Sequence, residues 1–97
     1  MVNTSYHGIS LEDQQYRCQL LFKIARHLSM AGLIIYSASI FTQIGGVRIT
    51  LPTEIPPEQI SSLKEDGVSC LYYDQRDPKC VGHEGIFRYE FVGSNQR

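Results

Sequence analysis

A chain of 97 residues with a formal charge of −1 is of single-domain length and has no overall field to draw in polyanions. Hydrophobic residues at 42% and charged residues at 20% match an ordinary globular composition, which argues against wholesale disorder and against a strongly basic nucleic-acid binder. Three cysteines, Cys18, Cys70 and Cys80, are odd in number and irregularly spaced, which is no disulfide scaffold.

Met1 to Gly8 carries neither a basic start nor an apolar run, so no export signal is expected. Val2 excludes N-myristoylation, and the apolar run Ala31 to Tyr36 is too short to span a bilayer. A reducing cytoplasm, free thiols and no membrane association are the expectation. The Asn3-Thr4-Ser5 sequon, without an export signal, reads as accidental.

An amphipathic helix is predicted from about Leu11 to Ala31. Ser10 can cap it, with Asp13 three residues on, and Glu12 and Asp13 set negative charge at the positive end of the helix dipole. Cys18, Leu21, Ala25 and Leu28 recur at helical spacing, widened by Leu20, Phe22 and Ile24. Gly32 suits the position just past the C-terminus.

After Gly32 the period changes to two. Ile34, Tyr36, Ala38, Ile40 and Thr42 would share a strand face, with Ile35 and Phe41 on the other. Gly45-Gly46 predicts a tight two-residue turn in which Ile44 opposes Val47. The apolar face then continues through Ile49 and Leu51. Pro52 ends the strand, and Pro57 suits the first position of a short helix to about Glu65 that buries Ile60 and Leu63. Val68 to Tyr73 and Ile86 to Val92 read as a third and a fourth strand. They are joined by a long polar connection, Asp74 to Gly85, and Ser94 to Arg97 reads as a frayed tail.

The predicted class is therefore α+β, one domain of order α-β-β-α-β-β, with a four-stranded antiparallel sheet and both helices on one face. If Val2 to Tyr6 adds an edge strand, the first six elements follow the ferredoxin-like order. A winged-helix arrangement is the alternative. It lacks the further helix that must precede a recognition helix, because only ten residues stand before Leu11.

Chemistry is less legible. Cys80 and His83, with Cys70 nearby, fall short of a four-ligand zinc set, and His83-Glu84 lacks the second histidine of a zincin pair. A Cys70–Cys80 disulfide is conceivable only outside a reducing compartment. No nucleophile elbow or phosphate loop is present in the sequence, so no catalytic residue, cofactor or metal is assigned.

Two surfaces remain as partner-binding candidates. Lys23, Arg26 and His27, with Arg17 on the preceding turns, form a basic helix face, to which Arg48 and Arg88 add strand cations. Phe87, Tyr89 and Phe91 alternate on the last strand; they are most simply core, and exposed they would form a hydrophobic interface or stacking platform. Asp74, Arg76 and Lys79 belong to the polar connection, where contact residues are often carried. The expected function is a small non-enzymatic regulatory or inhibitory module that binds another protein. A homodimer is expected because Ile35, Phe41 and one face of the last strand would otherwise leave an apolar patch on the uncovered sheet face. A nucleic-acid-binding module using Lys23, Arg26, Arg48 and Arg88 is the alternative.

Overall fold

The computed structural model describes residues 9–76 and 86–93. The first element, α1 (Leu11–Met30), begins at Ser10, whose hydroxyl accepts a hydrogen bond from the Asp13 N–H at 3.1 Å. It ends in a Schellman motif: Leu33 N–H donates to the Leu28 carbonyl and Gly32 N–H to that of Ser29, with Gly32 at φ +78°. Both ends fall where the sequence places them. The inward stripe does not: Arg17, Leu20, Ile24 and Leu28 are buried, while Cys18 and Phe22 face solvent. The larger branched side chains of Leu20 and Ile24 take the core in place of Cys18 and Ala25, because they remove more apolar area from water.

That rotation turns Arg17 inward, away from the basic face. Its guanidinium pairs with Asp13 one turn back, at 2.9 and 3.0 Å. It also donates to the backbone carbonyls of Ile40 at 2.7 Å, Thr42 at 2.9 Å and Gly46 at 3.4 Å. The Thr42 hydroxyl closes the same loop, donating to the Gly46 carbonyl and accepting from the Gly46 N–H.

The loop held in this way connects β1 (Ser37–Ser39) to β2 (Val47–Leu51). Ala38, rather than Thr42, sits opposite Ile49, so the predicted two-residue turn is replaced by residues 40–46. The slip is an even number of residues, and Val47, Ile49 and Leu51 keep the inward face assigned to them. Only Gly45 takes a positive φ in this turn, +83°. Gly46 serves closeness instead: a Cβ there would overlap the carbonyl oxygen of Phe91.

Next come α2 (Pro57–Glu65), β3 (Val68–Arg76) and β4 (Ile86–Gly93), with β3 running three residues further than predicted. The four strands form one antiparallel sheet in the order β1-β2-β4-β3. Since β4 runs antiparallel to both neighbours, β2 and β3 point the same way, joined through α2 with β4 in the gap. That is a split β-α-β unit. The interior place beside β2 is thus held by the last strand, and the described strands do not form the ferredoxin-like order. Val2 to Tyr6 lies outside the described residues. With a four-stranded sheet following a single long helix, the winged-helix alternative is not the architecture.

Leu20, Ile24 and Leu28 of α1 and Leu63 of α2 pack on the same inward row of Val47, Ile49, Leu51, Tyr89 and Phe91, so both helices cover one face. The opposite face is not the apolar patch expected. Phe87, Tyr89 and Phe91 pair across from Leu51, Ile49 and Val47 and point to the helices. Ile35 packs half-buried against the core, and Phe41 is exposed in the 40–46 loop. The uncovered face instead carries cross-strand ion pairs, Arg48–Glu90 at 3.0 Å and Arg88–Asp74 at 3.2 Å. The exposed Tyr72, opposite Glu90, adds an aromatic ring at the β3 end of this face.

Replacing Arg17 by Met keeps much of the volume but strands three loop carbonyls and Asp13. Unfolding free energy by urea titration should fall by about 3 kcal/mol. Exposed Gln14→Met on the same helix should change it by less than about 0.5 kcal/mol. Equal effects would show that the Arg17 bonds do not hold the fold.

Candidate functional site

Lys23, Arg26 and His27 lie at spacings of three and four on α1 and converge on one acceptor, Asp66, which follows α2. Lys23 Nζ donates to the Asp66 backbone carbonyl at 3.0 Å and stands 3.9 Å from Oδ1. His27 Nε2 is 3.0 Å from Oδ2, and the Arg26 guanidinium is 3.6 Å from the same oxygen. The His27 hydrogen bond, followed by the charges of Lys23, His27 and Arg26, holds the Asp66 carboxyl below its ordinary 3.8 against a partial opposing effect of desolvation. The cluster is therefore a clasp between two helices, in which one carboxylate offsets part of the positive charge around it. Beside it a cavity of about 460 Å³ opens, lined by Arg26, His27, Met30, Ala31, Gln59 and Ser62.

The remaining candidates separate. Arg48 and Arg88 lie on the uncovered face, in ion pairs with Glu90 and Asp74. Arg88 Nε is buried there with no hydrogen-bond partner among the described residues. Phe87 and Tyr89 face the core side, Phe87 half-buried and Tyr89 buried. Arg76 ends β3, whereas Lys79, Cys80 and His83 lie outside the described residues, and with them the zinc and disulfide questions. Among the described residues, no three His, Cys, Asp or Glu side chains are grouped to hold a metal ion. None of the described helices is long and apolar enough to cross a membrane.

One site escaped the sequence reading. Strand β3 lies at the sheet edge, and a bulge between Cys70 and Tyr72 adds Leu71 as an extra residue without a partner on β4. The bulge reverses the alternation: Val68 and Cys70 point inward before it, Tyr73 and Gln75 after it. As a result Leu71, Tyr72 and Tyr73 are consecutive and all exposed, at 57%, 49% and 41%. Next to them runs a groove of about 410 Å³ between β3 and the start of α2, lined chiefly by Glu54, Ile55, Ile60, Cys70, Tyr73 and Tyr89.

The groove has a firm floor. Tyr73 lies against Tyr89 with ring centroids 4.8 Å apart and stacks on Phe87 at 6.2 Å. The Tyr89 hydroxyl accepts from the Ile55 N–H at 2.8 Å, which ties the connector ahead of α2 to the sheet. Burial pushes the Tyr89 phenol up to about 12, and desolvation followed by Glu54 raises Tyr73, so both hydroxyls stay protonated at neutral pH. Burial likewise raises the Cys70 thiol, which makes it a poor nucleophile. The groove thus combines an aromatic floor, protonated hydroxyls and one carboxylate. The adjacent tyrosines were the only sequence signal of this site, since nothing in the text announces a bulge.

No family model matches this chain, and no curated protein or solved structure shows significant similarity to it.

Two changes probe these sites. Because Asp66 is held below its ordinary value, the stability it contributes is present at neutral pH and is lost as pH falls through the depressed value. The Tm gap between wild type and Asp66→Asn should therefore narrow from neutral pH down to about pH 2, and a constant gap would show that the charge is not what counts. Tyr89→Phe should cost about 1–2 kcal/mol in urea titration by leaving the Ile55 N–H unanswered.

Proposed function

We propose that this chain is a small non-enzymatic regulatory or inhibitory module that acts by occupying the surface of another protein. One observation carries the reading: Leu71, Tyr72 and Tyr73 stand exposed side by side on an edge strand, next to an apolar groove. Large side chains exposed on both faces of one edge strand are costly in water, and tyrosine is enriched where proteins meet. The edge also offers backbone groups that a partner can pair. A rigid module with such an edge acts through what it covers, which is the inhibitory mode.

A formal net charge of −1 favours a protein over nucleic acid, since it supplies no overall field for polyanions. Arg48 is paired with Glu90 and Arg88 with Asp74, while Lys23, Arg26 and His27 share the single carboxylate of Asp66 and keep a small net positive charge between them. Phosphate binding draws its affinity from cations free to displace counterions.

Tagged full-length chain should retain a protein from native extract that a Leu71→Thr, Tyr72→Thr variant of unchanged Tm does not retain. Equal retention by both would sink the reading. So would a submicromolar, salt-sensitive complex with DNA or RNA that is lost when Lys23 and Arg26 are changed to Glu.

A further inference from the structure

We propose that β3 and its groove bind an extended peptide segment of the partner, added as a fifth strand, with an apolar side chain in the groove and a lysine or arginine against Glu54. This inference rests on the protein-interaction reading above and names its mode. Strand β3 pairs with β4 on one side and, among the described residues, with no strand on the other. An added strand gains main-chain hydrogen bonds along such an edge, while its alternate side chains supply specificity.

The groove sets what those side chains must be. Its volume of about 410 Å³ is within the range of small-ligand pockets, and its walls are Ile55, Ile60 and the two tyrosine rings. An aliphatic or aromatic side chain entering from the edge would lie against them. Glu54 is the one charged side chain lining the groove among the described residues, and it lines it together with Tyr73. A carboxylate in an otherwise uncharged groove calls for a cation. Side chains on one face of a strand recur every second residue, about 7 Å apart. The anchor and the basic residue should accordingly stand two positions apart.

A second copy of this chain fits less well. The inward row of β3 is Val68, Cys70, Tyr73 and Gln75, and none of these would bring a cation to Glu54. Pairing two β3 edges would also place like surfaces together, without filling either groove with a matched charge.

The test uses a phage-displayed library of random linear peptides about ten residues long, selected on the full-length chain. Wild type should enrich peptides with a large apolar residue and a lysine or arginine two positions away. Selection on Glu54→Lys should exchange the basic residue for aspartate or glutamate. Glu54 is exposed, so this variant should fold, whereas Ile60→Asp reaches the half-buried wall of the groove. A synthetic enriched peptide should bind at least about tenfold more weakly when alternate backbone nitrogens are methylated, since its strand hydrogen bonds are then blocked. No enrichment, a charge preference unchanged by Glu54→Lys, or affinity indifferent to methylation would each overturn the proposal. Retention of a native partner through Leu71 and Tyr72 alongside any of those results would leave the interaction reading standing and reject only this mode.

Discussion

A guanidinium group can be taken out of water only where carboxylates and carbonyls replace the solvent it loses. Arg17 meets that condition, 6% exposed, by joining Asp13 to three carbonyls of the 40–46 loop. Much follows from the arrangement. It fixes the rotation of α1, because the stripe that ends in Arg17 also carries Leu20, Ile24 and Leu28 into the core. It satisfies the loop's inward carbonyls, which would otherwise favour a tighter turn. It holds Gly46 against the backbone of Phe91, and so brings β2 to β4 at the centre of the sheet. The N-cap belongs to the same set of bonds: Asp13 gives its N–H to Ser10 and its carboxylate to Arg17.

The same economy of charge shapes the surface. Lys23, Arg26 and His27 look in sequence like a solvated basic face, and in the fold they clasp Asp66 and so brace α1 against the end of α2. On the uncovered sheet face, Arg48 and Arg88 stand opposite Glu90 and Thr50 across the strands, with Asp74 completing the second pair. Such pairs add little stability each where they are partly exposed. On the sheet face their larger effect is on recognition, because Arg48–Glu90 and Arg88–Asp74 are one-to-one pairs that water wets. Exposed apolar side chains stand elsewhere too, Phe22, Met30 and Ile34 among them, but Leu71, Tyr72 and Tyr73 are the three that are consecutive on a strand.

Local signals were read well from the sequence, and distant ones poorly. Ser10 with Asp13, and Gly32 with its flanking helix, are self-contained motifs, so α1 starts and stops where the text says. The faces of β2 and β4 follow from alternation alone and are also as read. The hairpin register failed because Gly45-Gly46 matches a tight-turn pattern, while the bonds that select a longer loop come from Arg17, on a different element. Arg17 was grouped with the basic face for the same reason: a charged residue on an amphipathic helix reads as outward until its acceptors are known. Phe87, Tyr89 and Phe91 are core, as their alternation suggests, whereas Ile35 packs half-buried against the core and Phe41 sits in the 40–46 loop, neither on the uncovered sheet face where strand alternation alone would put them.

The bulge at Leu71 shows how a single unpaired residue can separate a binding surface from a core. Without it, β3 would alternate strictly, and Cys70 and Tyr72 would both point inward, leaving Tyr73 on the polar face. With it, Cys70 and Tyr73 both face the groove, where Tyr73 leans on Tyr89, and Tyr72 is sent outward beside Leu71. A bulge also bends an edge strand and makes it a poorer template for indiscriminate pairing. An edge that is irregular at Leu71, regular from Tyr72 to Arg76 and flanked by a shaped groove favours a strand that matches its side pocket over one that offers only backbone. Selectivity of that kind is what a small protein needs if it is to act on one partner through so short an edge.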